Sequence, residues 1–444
     1  MTRSGAVWLW LLLPLAAWAE DVPEVPPVEE ERRPRDDAWR NLLRVEATTL
    51  SFLPRAGRVV DEGFLQVEPT LILDGGAEFG LNLGTPVRLR LWGGGGDAGF
   101  VRREDWDSLS DWGQLVRGLK LGSDAAPVGV WLGALEDYSL LSAHLVRRYS
   151  NRTNPDYHPA GGFLTATVGP LYTEAFASDV LGARLMGAEV ALDMGRVLFG
   201  AAQSPGRYSL AVSVVHDWGR AGGRAPSVTL AHLDGTAVVL RRPGLEAHLL
   251  AGWGGRPRVG GAWGAVLGMG ADAVASVWDV SVRLEARRQH GGFRQGYFGP
   301  DYELARFQSV GTEGVPLASA PLPDGYSLQA EARVGWDAVG YRGLQRHLML
   351  SLSAEGFSWG RLDVDGRLAV QLLERSLEVA VKGLGVGLGQ PGARYLGAAE
   401  ARWRVMAGKL YAVATGGTLL FPEGDGTLRP RAFASVGLGV DNAR

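Results

Sequence analysis

A strict alternation of apolar and polar side chains, sustained over about ten to twelve residues at a time, most constrains what this sequence can fold into. From Tyr326 to Ala338 the even positions are apolar or aromatic, whereas the odd positions include Glu331 and Arg333. A β-strand sends successive side chains to opposite faces, so this segment has one apolar and one charged face. An ordinary strand has about 5–6 residues, whereas a tilted strand that crosses a bilayer needs about 9–11. The length of the alternation therefore favours membrane-spanning strands.

The same alternation recurs along most of the chain. The clearest further segments are 275–287, 361–372, 376–385 and 394–405. Weaker segments are 44–53, 64–73, 86–92, 128–135, 138–146, 163–168, 183–192, 207–218, 227–240, 245–253, 344–357 and 431–440. Together with intervening glycine-rich candidates they predict an all-β fold, a single closed antiparallel transmembrane β-barrel of about 16–20 strands. The best estimate is about 18, because bacterial single-chain barrels have an even number of strands.

A soluble β-sandwich or propeller also alternates, so the positions of the aromatic residues are needed to separate the alternatives. Tyr208 and Trp218 share one face ten residues apart, and so do Tyr326 and Trp336. Ten residues at about 3.3 Å each, tilted by about 40°, rise about 25 Å. That rise matches the apolar band between the two aromatic girdles of an outer-membrane barrel, so the spacing favours the membrane.

The N-terminal region predicts export from the cytoplasm. Residues 1–19 have Arg3, an apolar run and the cleavage site Ala17-Trp18-Ala19, which together predict a secretory signal peptide. Residues 20–41 are rich in Pro, Glu and Arg and predict a disordered lead-in. Residues 42–444 show no break in composition and predict one domain, a barrel in the cell outer membrane.

The composition excludes several classes of protein. The chain has no cysteine, which excludes disulfide scaffolds and thiolate metal sites. The formal net charge is −3 and the basic residues are dispersed, so no nucleic-acid partner is expected. No phosphate-binding or dinucleotide fingerprint is present, so no cofactor is expected either.

The charged faces of the strands supply candidates for the lining of a pore. They carry both signs, which disfavours strong ion selectivity and suits small polar solutes. The pore-lining candidates are Arg283, Glu285, Arg287, Glu331, Arg333, Asp363, Asp365, Arg367, Glu400 and Arg402.

Three segments interrupt the alternation and are candidate functional loops. The first, 93–112, has acidic residues that could give Ca²⁺ its oxygen ligands, although the EF-hand pattern is missing and a solvated acidic loop is the alternative. Its candidate ligands are Glu104, Asp105, Asp107 and Asp111. The second, 144–162, places arginines among aromatic and amide side chains, which suits anionic groups or a loop held by its own hydrogen bonds.

The third segment, 289–325, is longer than an ordinary hairpin connection and contains five aromatic residues. A loop of this length in a large barrel folds inward as a constriction or stands outside as a partner-binding loop. The sequence leaves both possibilities open. The constriction-loop candidates are Arg294, Asp301, Glu303 and Arg306.

Three motifs in the first part of the chain carry a resemblance to a known group. They are Glu104-Asp105-Trp106-Asp107-Ser108 with Ser110-Asp111, Tyr149-Ser150-Asn151-Arg152 with Asn154-Pro155, and Tyr172 with Ala177-Ser178-Asp179. Through these motifs the chain resembles uncharacterised outer-membrane β-barrel, porin-like proteins of myxobacterial-type genomes. The resemblance covers about the first 40% of the chain and implies an outer-membrane barrel, with no assigned substrate.

These observations predict a porin-like passive channel for small polar solutes, with outer-membrane lipid and lipopolysaccharide as its surroundings. The alternative is a closed structural or binding barrel that acts through its external loops. An outer-membrane hydrolase is a third possibility, with His216-Asp217, His144, His158 and His290 as its candidates. No G-x-S-x-G or H-E-x-x-H motif accompanies these histidines, so the chain is not expected to be an enzyme. The oligomeric state is left open.

Overall fold

The computed structural model describes most of the chain from residue 40 onward. The described residues are 40–53, 62–76, 78–93, 99–123, 126–182, 184–200, 207–219, 227–306, 309–310, 315–316, 322–336, 347–373, 376–405, 409–423 and 426–442. The predicted signal peptide and residues 20–39 of the predicted lead-in lie outside this set. The first strand begins at Arg40, two residues before the predicted start of the barrel.

Most of the described residues, 66%, are in strands. The strands are β1 (Arg40–Leu53), β2 (Glu62–Asp74), β3 (Phe79–Gly84), β4 (Val87–Trp92), β5 (Val116–Leu121), β6 (Val128–Gly133), β7 (Gly161–Val168), β8 (Leu171–Ala177), β9 (Leu185–Asp193), β10 (Tyr208–Asp217), β11 (Val228–Arg242), β12 (Leu245–Gly255), β13 (Trp263–Val274), β14 (Trp278–His290), β15 (Ser309–Val310), β16 (Val315–Pro316), β17 (Gly325–Trp336), β18 (Leu348–Phe357), β19 (Leu362–Leu372), β20 (Leu377–Leu388), β21 (Arg394–Val405), β22 (Leu410–Pro422) and β23 (Leu428–Asp441). The helices are the 3₁₀ turns Arg103–Asp105 and Leu109–Leu115 and the short α-helices Met194–Phe199 and Tyr302–Ala305. Among the described residues, no helix is long and apolar enough to cross a membrane.

The strands form one closed antiparallel barrel. Apart from β15 and β16, which pair only with each other, each strand pairs with the strands before and after it in the barrel, and β23 pairs with β1 from Arg44↔Asp441 to Leu53↔Ala432, which closes the sheet. Strands β3 and β4 both pair with β2 and are separated only by Thr85 and Pro86. They form one interrupted strand, since proline has no N–H to give to the ladder. The barrel therefore has 20 strands in the described residues, at the upper end of the predicted range.

The best estimate of 18 was two strands too few because some strands lack a clear alternation. Strands β13 and β22 are rich in glycine and alanine, so their two faces differ little in polarity. One predicted segment, 138–146, was wrong as a strand. It belongs to a connection, where Tyr138 makes only an isolated bridge with Tyr149.

The outer surface of the barrel is apolar. On β17, Tyr326 and Leu328 are 63% and 71% exposed, whereas the alternating Ser327 and Gln329 are buried inside. Aromatic residues lie near the strand ends, as predicted, and on neighbouring strands Trp278 stacks on Trp336 with ring centroids 5.7 Å apart. Period-two alternation thus sets which face of each strand points outward.

The two ends of the barrel differ. Both termini of the described chain lie at one end, because β1 begins and β23 finishes there. The three long connections, 93–115, 134–160 and 291–324, all lie at the opposite end, which is called here the loop end. This arrangement follows from the even number of antiparallel strands.

A hydrophobic core occupies the interior beside β7–β13. It contains side chains from two of the long connections, including Leu145, Tyr149 and Phe298, and side chains from the wall, including Phe176 and Leu230. Barrels of this size enclose a wide lumen unless loops enter it. The core shows that loops fill one side of this lumen.

The outward register generates a prediction for assembly. Ala330 is exposed on the outer face, midway between the aromatic residues Tyr326 and Trp336. Ala330→Arg should impair folding into lipid bilayers, because a cation near the bilayer midplane costs about 2–4 kcal/mol. The folded fraction is measured from the faster migration of unheated barrels in gel electrophoresis.

A matched control places the same substitution on the inner face. Ala380 lines the lumen opposite Glu400 on the next strand. Ala380→Arg should therefore fold as the unaltered chain does. Equal losses in both variants would contradict the assigned register.

Candidate functional site

The connection between β6 and β7 enters the lumen; residues 134–160 are called inner loop 1. Tyr138 Oη donates a hydrogen bond to Glu174 of β8, 2.6 Å away. Arg148 of the same loop forms an ion pair with Asp365 of β19. Since β8 and β19 lie on different sides of the barrel, a loop that reaches both must cross its interior.

The first part of the connection between β14 and β17 lies beside it; residues 291–306 are called inner loop 2. Val146 and Phe298 form a parallel bridge between the two loops. The Arg147 amide donates to the Phe298 carbonyl at 3.1 Å, and the Gly296 amide donates to the His144 carbonyl at 2.7 Å. The predicted constriction segment thus places its first part inside the lumen. Residues 307–308, 311–314 and 317–321 of that segment lie outside the described residues.

The four constriction-loop candidates are all ion-paired. The pairs are Arg294–Asp363 at 3.4 Å, Asp301–Arg394, Glu303–Arg306 at 3.1 Å and Arg306–Asp217 at 2.8 Å. Three of these four pairs join inner loop 2 to the barrel wall. Burial lowers the pKa of Arg294 although Asp363 faces it. These side chains hold the loop in place, and their charges are largely compensated by ion pairs with residues of the barrel wall.

Glu285 on β14 is the centre of the polar network that holds inner loop 1. This buried carboxylate accepts from Arg147 of the loop at 3.2 Å and from Arg287 of its own strand at 2.7 Å. Arg283 also donates to it, and Arg147 reaches on to Glu331 of β17. Buried charges persist only when they are paired in this way. The network therefore fixes the position of the loop tip.

The predicted pore-lining residues divide into two groups. The first group pairs with the inner loops or with one another and consists of Arg283, Glu285, Arg287, Glu331, Arg333, Asp363 and Asp365. The second group makes no ion pair with the described residues of the inner loops and consists of Arg367, lower on the same strand as Asp363 and Asp365, and Glu400 and Arg402 on β21. There Arg402 pairs with Glu46 and Glu400 at 3.3 and 3.4 Å.

A cavity of about 550 Å³ lies between inner loop 1 and the wall strands β19–β23. Its charged lining comprises Glu136, Asp137, Arg148, Arg152, Asp365, Arg367, Lys382 and Glu400. The loop residues in this set and Lys382 were not among the pore-lining candidates, although Arg148 and Arg152 belong to the candidate loop 144–162. Lys382 alternates with Glu378 on β20 and could have been included, whereas the loop residues carried no periodic signal.

Two cations in this cavity face each other across neighbouring strands. Arg367 of β19 is directly opposite Lys382 of β20, and both are exposed to the cavity. Like charges directly opposite each other destabilise a sheet. This cation pair therefore destabilises the barrel, and it makes the wall of the cavity positively charged at this point.

The calcium candidates are engaged in other contacts. Asp105 accepts from Arg88 at 2.7 Å and also from Arg102. Burial alone raises the pKa of Asp105, but the hydrogen bond of His158 and the two arginines outweigh it and lower the pKa to about 2. Asp111 accepts hydrogen bonds from both the amide and the hydroxyl of Ser108, at 2.9 and 2.6 Å. Asp105 thus fastens the 99–115 segment to β4 through Arg88, and Asp111 stabilises the turn within that segment.

The remaining two calcium candidates lie at the surface of the same segment. Glu104 has a half-exposed side chain 4.0 Å from Arg102. Burial and the neighbouring Asp111 raise the pKa of Asp107. Among the described residues, the group whose donor atoms converge as metal ligands lies elsewhere, at His144, His232 and Asp234.

The motifs that carried the resemblance meet at the loop end. The Asn151 side chain accepts from the Leu135 amide at 2.9 Å and donates to the Ser178 carbonyl at 2.8 Å. Asp179 accepts from Tyr157 at 2.8 Å and from Ser110. Since these residues join three connections, their role here is to hold the loops together.

The histidine–aspartate neighbours on β10 are not a catalytic pair. Asp217 points inward, where Tyr302 donates to it. His216 is on the other face of the strand, where it contacts Thr229 at 2.8 Å and packs on Trp218. Successive residues of a strand point to opposite faces, so the two side chains cannot act on one substrate.

No protein-family model matches the chain, and no curated protein matches it. Among solved structures, a BenF-like porin from Pseudomonas fluorescens Pf-5 matches with TM-score 0.34 and 11% identity, over 91% of this chain and 98% of that chain. Pseudomonas aeruginosa OccK8 (OprE) matches with TM-score 0.39 and 10% identity, over 91% and 98%. Pseudomonas aeruginosa OccK2 (OpdF), solved in complex with glucuronate, matches with TM-score 0.38 and 12% identity, over 91% and 96%. At these values the similarity carries no conclusion about solute or activity.

The ion-pair network predicts that Arg147 contributes strongly to the free energy of unfolding. Arg147→Ala removes the loop cation that contacts Glu285 and Glu331 and leaves buried carboxylate charge behind. Breaking a buried pair costs about 3–5 kcal/mol, so the free energy of unfolding should fall by about 3 kcal/mol. Guanidinium-induced unfolding in detergent, followed by tryptophan fluorescence, measures the change.

Arg333→Ala is the matched control. Arg333 also contacts Glu331, at 2.9 Å, but its side chain is 51% exposed. Solvent-exposed pairs contribute about 0–1 kcal/mol, so this variant should lose no more than that. A loss of stability as large as that of Arg147→Ala would contradict the conclusion that the ion pairs of Arg147 are strong because they are buried.

Proposed function

We propose that this chain is an outer-membrane channel that passes small polar solutes between inner loop 1 and the wall strands β19–β23. The observation that carries the proposal is the cavity of about 550 Å³ in the lumen, lined by charged and polar side chains. A structural barrel has no need for a hydrated, charged cavity, because its interior could be closed by core side chains throughout. The inner loops fill one side of the lumen, so the proposed path runs along the other side, beside β19–β23.

The outer surface supports a location in lipid. Large apolar side chains such as Leu210, Leu267 and Leu328 are exposed on the outer faces of their strands. Such a surface is unfavourable in water but suits the hydrocarbon core of a bilayer. Outer-membrane lipid and lipopolysaccharide are therefore the expected surroundings. The relationship to the myxobacterial-type barrel proteins remains a prediction from the sequence motifs.

The charge of the path suits polar solutes of either sign. Four cationic and four anionic side chains line the cavity, and Arg148 and Asp365 among them neutralise each other. The opposed Arg367 and Lys382 are the local exception. We infer weak overall ion selectivity, with a mild preference for anions at this point.

A closed barrel that acts through its external loops is the second candidate. The hydrophobic core that fills one side of the lumen favours it, because 16 buried residues there pack as in a solid protein interior. The channel and the closed barrel differ in one measurable property, the conductance of the purified folded chain in a planar bilayer. Stable open steps support the channel, and silence overturns it.

The proposed path predicts the effect of removing the loop tip. Replacing residues 139–147 by a glycine–serine linker of equal length removes the side chains of the loop tip that fill the lumen beside β7–β13 and pair with Glu285. Single-channel conductance should rise at least about twofold, since a pore widens when an inward loop no longer fills it. A glycine–serine replacement of residues 257–260, which lie in a short connection at the loop end, should leave the conductance unchanged. An unaltered conductance in the folded 139–147 variant would place the path elsewhere.

The opposed cations predict a change in selectivity. In a salt gradient, the double substitution Arg367→Ser and Lys382→Ser should shift the reversal potential toward cation preference, because the remaining fixed charges are mainly acidic. Arg333→Ser removes a lumen cation that is not part of the cavity lining and should leave the potential unchanged. If both variants shifted it equally, the cavity would not be the conducting path.

A further inference from the structure

Three side chains that could bind a metal ion meet where inner loop 1 touches the wall. His232 and Asp234 are two residues apart on β11 and therefore share its inner face. His144 lies at the tip of inner loop 1. All three are nearly inaccessible, with exposures of 2%, 4% and 2% for His232, Asp234 and His144. One ligand atom from each lies within 4.8 Å of the others.

The contacts within this group centre on the carboxylate. The His232 Nδ1 atom lies 2.9 Å from Asp234 Oδ2, and the His144 Nδ1 atom contacts Asp234 Oδ1. Among the described residues, Asp234 thus has two imidazoles as its partners. The nearby Glu285, by contrast, has three arginines as partners. A buried carboxylate is stable only beside a compensating positive charge.

The imidazole of His144 cannot supply that charge in this arrangement. Arg283 Nη2 lies 2.9 Å from the His144 Nε2 atom. A guanidinium can only donate, so Nε2 must accept and the ring must be neutral. On the other ring, His232 Nε2 is buried and has no hydrogen-bond partner among the described residues. Among the described residues, no lysine or arginine pairs with Asp234, so this buried carboxylate lacks a fixed cation.

We propose that His144, His232 and Asp234 bind a late first-row divalent metal ion, Zn²⁺ or a similar ion. Two imidazoles and one carboxylate form an ordinary ligand set for Zn²⁺, with water in a fourth position. A divalent ion compensates the charge of Asp234 and would be held beside it by the two Nδ1 atoms that face this carboxylate. This site would join the inner loop to β11 and is independent of the proposed channel function.

The surroundings allow the required change in protonation. When His144 coordinates through Nδ1, its ring proton moves from Nδ1 to Nε2, so the ring stays neutral. Glu285 Oε1 lies 3.5 Å from that Nε2 and can accept its hydrogen bond. Metal-bound histidines commonly donate to a carboxylate in this way. Arg283 Nη2 must then turn away from Nε2, because two donors cannot face each other, while Arg283 keeps its hydrogen bonds to Glu285 and to the Ser142 carbonyl.

The packing around the group restricts side chains on the neighbouring strand. A Cβ atom at Gly252 of β12 would lie 2.5 Å from Asp234 Oδ1 and 2.5 Å from His232 Cε1. At Gly254 it would lie 2.3 Å from His232 Cδ2. Glycine at both positions therefore leaves room for the imidazole and the carboxylate.

Cobalt titration of the folded, tag-free chain in detergent tests the proposal, since Co²⁺ is a coloured substitute for Zn²⁺. We expect one equivalent of Co²⁺ to bind, with visible absorption bands typical of few-coordinate nitrogen and oxygen ligands, and Zn²⁺ to displace it. His232→Ala and Asp234→Asn should each weaken binding at least about 100-fold, since each loses a direct ligand. His290→Ala is the matched control, because His290 pairs with Asp324 at an exposed site and should leave binding unchanged.

A second measurement needs no variant and so does not depend on the folding of one. X-ray absorption spectra at the zinc edge, recorded on the Zn²⁺-loaded unaltered chain, should show two imidazole ligands. The proposal is overturned if the folded chain binds no stoichiometric Co²⁺ or Zn²⁺, or if the spectra show no imidazole. It is equally overturned if folded His232→Ala binds Co²⁺ as tightly as His290→Ala does.

Discussion

The pairing of β23 with β1 is the contact on which the rest of this structure depends. An open sheet would expose a row of unpaired N–H and C=O groups at each edge, which lipid cannot satisfy. Closure satisfies these groups and at the same time creates an interior. Every functional feature then follows from how that interior is filled, because a barrel of 20 strands is too wide for its wall side chains to fill alone.

Two loops fill the interior unevenly, and this unevenness produces the candidate path. Apolar side chains such as Tyr149 and Phe298 pack against β7–β13 and close that side. Near the tip of inner loop 1, buried carboxylates of the wall bind arginines of the loop, so the loop cannot swing freely. The opposite side, along β19–β23, keeps a charged cavity. The apolar core thus fills one side of the lumen, and the ion pairs fix the position of the loop tip.

The candidate metal group fits into the same arrangement. Its three members connect the loop tip to β11, close to the Glu285 network, so a bound ion would add a further link between loop and wall. The sequence motifs that implied an outer-membrane barrel contribute differently. Asn151 of inner loop 1 and Asp179 of the next connection take part in the hydrogen bonds that hold these two connections together at the loop end.

The sequence by itself determined the strands, their two faces and the approximate size of the barrel, because period-two alternation is a local property. It also identified charged wall residues such as Glu331 and Asp365. It could not assign segment 138–146, whose weak alternation resembles a strand, nor place the ligands of the metal group. His144 and Asp234 are 90 residues apart, and Arg147 and Glu331 are 184 apart. Only the closed tertiary structure brings such residues together, because which loop enters the lumen depends on long-range packing and charge pairing.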